Sequence, residues 1–178
     1  MDYFLTDEQM MIKELAQKIT KEKILPVRAE YDEKEIFPCN VIKTLADSDL
    51  FGVYIPEEYG GMGFGVFELC LVIEELSKGC GGIALAYAGT ALGTFPILLF
   101  GNEQQKNKYL PFIAKGEKIA AFAVTESNAG SDITSLATTA KKDGEYYVLN
   151  GTKQWITNGG EAEIYVVIAT TDRTKGAR

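Results

Sequence analysis

Residues 116–125, Gly116-Glu117-Lys118-Ile119-Ala120-Ala121-Phe122-Ala123-Val124-Thr125, divide the chain into two textures. Upstream of Lys118, apolar residues recur at the three- and four-residue spacing of amphipathic helices. Downstream, short alternating or β-branched runs are separated by turn dipeptides. The segment itself reads as a buried strand over residues 119–125, because a continuous apolar run of that length between polar boundaries suits a strand covered on both faces. Helices first and strands afterwards predict an α+β chain. An N-terminal all-α helical domain over residues 1–118 precedes an antiparallel β domain over residues 119–178, since a parallel sheet calls for strands alternating with crossover helices.

Working back from Gly116, Asn102 caps an amphipathic helix that ends there. Residues 82–100 form a nearly uncharged apolar run, long enough to raise the question of a membrane span. Gly82, Gly89, Thr90, Gly93, Thr94 and Pro96 interrupt it and no basic flank orients it, so the reading is the central helix of a soluble bundle. A helix over residues 66–78 carries Leu69, Val72, Ile73 and Leu76 on one face, with Glu68, Glu74 and Glu75 on or near the other. The glycine-rich loop at residues 56–65 has Gly61 and Gly63 but no glycine at 66, so it misses the dinucleotide fingerprint. Residues 53–55 read as a short extended piece, and a helix begins near Pro38 with Val41, Ile42 and Leu45 inward. The first helix runs from Asp7 toward Pro26, opened by a capping box between Thr6 and Gln9.

Working forward, residues 138–141, 145–149 and 152–156 read as three strands joined at Asp143-Gly144 and Asn150-Gly151. Residues 164–170 form another strand, left with no further neighbour. That edge leads to the expectation that the 178 residues are a fragment of a longer protein.

Composition removes whole classes of chemistry. With 46% hydrophobic and 24% charged residues the chain can bury a real core. It contains no histidine, so Ser-His-Asp and Cys-His nucleophiles and His-ligated zinc are excluded. A net charge of −7 repels phosphate backbones, which argues against nucleic acid. Three cysteines, Cys39, Cys70 and Cys80, form no C-x-x-C pair, so neither a disulfide framework nor a thiol-bound metal is expected. The N-terminus shows neither a secretory nor an organelle leader, which gives the expectation of a cytoplasmic protein.

Chemistry concentrates at residues 123–132, Ala123-Val124-Thr125-Glu126-Ser127-Asn128-Ala129-Gly130-Ser131-Asp132. Read alone, this is either an ordinary strand exit in which Asp132 satisfies turn amides, or a cradle for an anion or a flat polar ring. The stretch resembles the signature of the acyl-CoA dehydrogenase family, with Ser127 where many members carry proline. Downstream, Lys153-Gln154-Trp155-Ile156-Thr157-Asn158-Gly159-Gly160 is similar to that family's Trp-Ile-Thr-Asn segment. Pro56-Glu57-Glu58-Tyr59-Gly60-Gly61 and Gly101-Asn102-Glu103-Gln104-Gln105 match two further family segments. The resemblance spans the whole chain.

It implies a helical N-terminal domain, a middle β domain, and a C-terminal four-helix domain that is absent here. It further implies FAD and an acyl-CoA substrate, with a usual homotetramer and electrons passed to an electron-transfer flavoprotein in fatty acid β-oxidation. By carry-over, Phe122, Val124 and Thr125 line the pyrimidine side of the flavin, and Gly130 and Ser131 lie near the pyrophosphate and the acyl-CoA. Trp155 and Ile156 flank the ring, and Thr157 offers its hydroxyl or amide to N5, the hydride acceptor. Leu85, Ala88 and Leu92, on one helix face, line the acyl tail. The resemblance puts the proton-abstracting glutamate beyond the middle domain and gives Glu126 no such role, so no catalytic residue is expected within the chain. Two other readings remain beside the dehydrogenase: an acyl-CoA oxidase or another flavoenzyme of this fold, and a non-catalytic helical module.

Overall fold

A computed structural model describes residues 4–172 and 174. Helix α1 (Asp7–Ile19) opens with the expected capping box, in which Thr6 Oγ1 accepts from Gln9 N at 3.2 Å and Gln9 Oε1 accepts from Thr6 N at 3.0 Å. It continues into a π-helical turn, Thr20–Ile24. After α2 (Arg28–Glu33) and α3 (Cys39–Asp47) come the two long helices, α4 (Val66–Gly79) and α5 (Gly81–Phe100), and then α6 (Glu103–Ala114). A second capping box, Asn102 with Gln105, starts α6. These boxes are local hydrogen-bond solutions for helix-end amides, which is why the sequence reveals them.

Helix α5 is the axis of the molecule. It is long and apolar enough to cross a membrane by length and composition, yet 56% of its most apolar window is buried inside the protein. Ile83, Ala84, Tyr87, Ala91 and Thr94 face inward, and the Tyr87 hydroxyl donates to Leu50 O at 2.7 Å. Strand β1 (Ala120–Ala123) runs close beneath it. Gly93 makes that approach possible, because a Cβ there would stand 2.8 Å from the Cβ of Ala120 and 3.1 Å from Ala121 backbone.

Several expectations change. Residues 53–55 are buried turn rather than extended strand, following a 3₁₀ turn at Leu50–Gly52. Glu75 is not on the polar face of α4 but is 1% exposed, its charge matched by Lys78 at 2.7 Å and Lys13 at 3.6 Å. Helix α2 had no signal, since it buries no residue. In the sheet region, β2 (Thr139–Asp143) and β3 (Tyr146–Asn150) form the expected antiparallel hairpin. Its turn is Gly144-Glu145, one residue later than read, because Asp143 still pairs with Tyr146. Strand β4 (Ile164–Val167) pairs with β1 in parallel, Ala120 opposite Ile164 through Ala123 opposite Val167. The antiparallel expectation thus fails for this pair, since the chain between the two strands is long enough to return to the same end without a crossover helix. The third expected strand, residues 152–156, is a loop.

The core joins α1, α3, α4, α5 and α6 through residues such as Ala16, Leu45, Val72, Leu76 and Leu110. Leu76 is fully buried. Leu76→Ala should lower the free energy of unfolding by about 2–5 kcal/mol, measured by urea denaturation. A loss below about 1 kcal/mol would show that α4 is not packed in the core as described.

Candidate flavin-facing surface

The strand exit at residues 124–126 and the loop at residues 153–158 are fastened together by one side chain. Lys153 Nζ donates to Val124 O at 2.7 Å and to Glu126 Oε1 at 2.8 Å. Beside it, Gln154 N donates to Thr125 O at 3.0 Å. These bonds draw residues 153 and 154 toward residues 124–126, and residues 152–156 run as a loop instead of adding a strand to the β2–β3 hairpin.

Glu126, 7% exposed, completes the fastening. Its Oε2 accepts from Ala137 N at 2.7 Å and its Oε1 from Thr138 N at 3.0 Å, so the carboxylate also closes the loop that carries Gly130 and Ser131. The Lys153 hydrogen bond foremost, with the donors of Thr138 and Ala137, pulls its pKa down to about 2. A carboxylate so acidic and so fully bonded is a poor proton acceptor.

The loop then turns sharply. Trp155 has φ 59°, in the left-handed region, and its side chain is 85% exposed. An aromatic residue held there costs on the order of 1–3 kcal/mol, and packing does not explain it. Thr157 seats against Gly89 of α5, where a Cβ would meet Thr157 Cγ2 at 2.6 Å. A cleft of about 420 Å³ brings Thr157 together with Leu85, Arg28, Tyr31 and Phe37.

The other residues named from the sequence take varied places. Phe122 on β1 and Val124, Thr125 and Ile156 are half-buried. Gly130 has open space where a side chain would stand, and Ser131 is exposed. Leu85 and Leu92 are 50% and 49% exposed on the outer side of α5, with Ala88 between them. Another cleft, about 450 Å³ and lined by Pro96, Phe100, Tyr109 and Tyr165, contains none of these residues. Among the described residues, no group of three or more acidic, Cys or His side chains is placed to hold a metal. Lys153 and Asn158 stand in the quoted motif segment, but sequence reading gave them no role; both anchor the loop through partners far away in the chain.

Glu126 has a direct pH consequence. A carboxylate whose folded pKa is depressed stabilises the fold above its ordinary value near 4.5, and that stability is lost as pH falls toward about 2. Glu126→Gln should cost about 1.5–3 kcal/mol at pH 7 and flatten the acid limb of stability between those two values, followed by thermal unfolding at several pH values. An acid limb unchanged in the variant would contradict the assignment.

The N-terminal domain model of acyl-CoA dehydrogenases matches residues 6–117 and the middle domain model matches residues 121–178. A short-chain specific acyl-CoA dehydrogenase of Clostridium acetobutylicum is 43% identical over 100% of this chain and 47% of its own length. Among solved structures, one chain in the structure of the electron transferring flavoprotein of Acidaminococcus fermentans superposes with a TM-score of 0.94 at 41% identity, over 99% of this chain and 47% of that one. An acyl-CoA dehydrogenase of Bacillus anthracis complexed with FAD gives a TM-score of 0.88 at 39% identity, over 95% of this chain and 30% of that one. The chain thus spans about half the length of the curated relatives it matches, 42–47% in four of them. By both domain models and by the fold they accompany, a helical domain followed by a small sheet region, the chain belongs to the acyl-CoA dehydrogenase family.

Proposed function

We propose that this chain is the flavin-facing half of an FAD-dependent acyl-CoA dehydrogenase that converts an acyl-CoA to its trans-2-enoyl-CoA and passes the electrons to an electron-transfer flavoprotein. The observation that carries the reading is Trp155, a large ring held in solvent in a strained backbone conformation, in a loop whose Gln154 N is bonded to Thr125 O. Such a ring gains what it costs by covering another flat aromatic surface. The FAD complex of the Bacillus anthracis relative supports the cofactor, and the Acidaminococcus fermentans neighbour supports the electron partner.

The residues fit the group. Trp155 and Ile156 would cover the ring, and Phe122, Val124 and Thr125 would meet its pyrimidine edge. Thr157 would donate to N5, and Gly130 and Ser131 would leave room for the pyrophosphate and the acyl-CoA. Donors at these edges favour the negative charge that gathers on a reduced flavin. Bound FAD supplies the two-electron acceptor, which no side chain of this sequence can replace. Leu85, Ala88 and Leu92 offer an apolar strip to the acyl tail. The proton-abstracting base is assigned to the part of such a protein beyond these residues, so the 178-residue chain alone is expected to be inactive. The assembled enzyme is proposed as a cytoplasmic homotetramer of fatty acid β-oxidation, a location that suits the free thiols of Cys39, Cys70 and Cys80.

Trp155 is the single tryptophan, so its fluorescence reports the site directly. FAD should quench it saturably, and a short acyl-CoA added without oxygen should leave the flavin absorbance of the 178-residue chain unbleached while bleaching the protein extended through its C-terminal part. Trp155→Ala should weaken FAD binding about tenfold, roughly 1.4 kcal/mol, with little change in stability. Bleaching by the 178-residue chain would place a base within it, and FAD binding indifferent to Trp155 would overturn the surface.

A further inference from the structure

We infer that Asn158 is the positioning residue of the flavin-facing loop, setting where Thr157 and Trp155 stand; the inference rests on the reading of that loop given above. Asn158 is 6% exposed and adopts φ 64°, the left-handed conformation that asparagine tolerates better than most residues. Its side-chain amide reaches two layers at once. Nδ2 donates to Ala86 O at 2.9 Å and Thr90 Oγ1 at 3.3 Å on α5, and to Ala120 O at 3.2 Å on β1.

The same residue organises the turn that follows. Its carbonyl accepts from Glu161 N at 3.1 Å and Ala162 N at 2.9 Å, while Gly159 N closes onto Ile156 O at 2.9 Å. Thr157 is thereby held between the anchored Asn158 and the bare backbone of Gly89, with no room for a side chain at position 89.

The anchor continues inward as a buried polar chain. Thr94 Oγ1 donates to Thr90 O at 2.7 Å and the Tyr54 hydroxyl donates to Thr94 Oγ1 at 3.3 Å, both threonines being fully buried. Among the described residues, Asn158 Oδ1 is buried and accepts no hydrogen bond. What Asn158 contributes is the donor end, and the donor end fixes the loop.

Asn158→Gly tests this without straining the backbone, because glycine keeps φ 64° freely and only the anchor is lost. In the 178-residue chain, hydrogen exchange at Gly159, Glu161 and Ala162 should accelerate at least about tenfold relative to β1, and FAD quenching of Trp155 should require about tenfold more FAD. Gly89→Ala, which pushes on Thr157 from the other side, should weaken the quenching while leaving exchange at Glu161 and Ala162 slow. Leu45→Ala lowers global stability elsewhere and should change neither readout after correction for stability. Unchanged exchange in Asn158→Gly overturns the inference, as does FAD quenching equal to wild type. A wild-type chain whose Trp155 is not quenched by FAD would sink the flavin reading instead, and loop exchange would still decide whether Asn158 sets the loop.

Discussion

A single ammonium group, Lys153 Nζ, holds the carbonyl of Val124 and the carboxylate of Glu126 at once. Among the described residues, the other hydrogen bond that joins residues 124–126 to residues 153–158 is Gln154 N to Thr125 O. A buried charge pair stabilises only when the remaining valences are filled, and here the amides of Ala137 and Thr138 fill those of Glu126. The pair therefore converts two distant stretches of chain into one surface, and the loop carrying Gly130 and Ser131 is closed by the same carboxylate.

The helical half serves as the platform for that surface. Helix α5 supplies Gly93 for the close approach of β1 and Gly89 for the seat of Thr157, so two glycines on one helix face locate both the strand and the loop. Its inward face is fixed by packing and by the Tyr87 hydroxyl bond to Leu50. Its outer face carries the half-exposed Leu85 and Leu92, and Leu85 shares a cleft with Thr157.

What the sequence reveals is what local chemistry decides. The capping boxes at Thr6 and Asn102, the inward Val41, Ile42 and Leu45, and the hairpin between β2 and β3 all depend on neighbours a few residues away. Long-range contacts account for the misses. Glu75 looks like a surface charge until Lys13 and Lys78 reach it, residues 152–156 look like a strand until Lys153 and Gln154 are drawn to residues 124–126, and the parallel pairing of β1 with β4 leaves no local mark. At the candidate site, the motif resemblance names Thr125, Trp155 and Thr157 as expectations, whereas the anchoring contacts of Lys153 and Asn158 are visible only in three dimensions.

A double-mutant cycle on Glu126 and Lys153 tests the central claim most directly. Glu126→Gln, Lys153→Met and the double variant would be unfolded in urea, with Trp155 fluorescence as the probe. If the pair fastens the two segments as one unit, the double variant should lose about as much as either single one, giving a coupling of about 1–3 kcal/mol. Losses that add to within about 0.5 kcal/mol would mean that the two residues act independently, and the surface would not be held together by their contact.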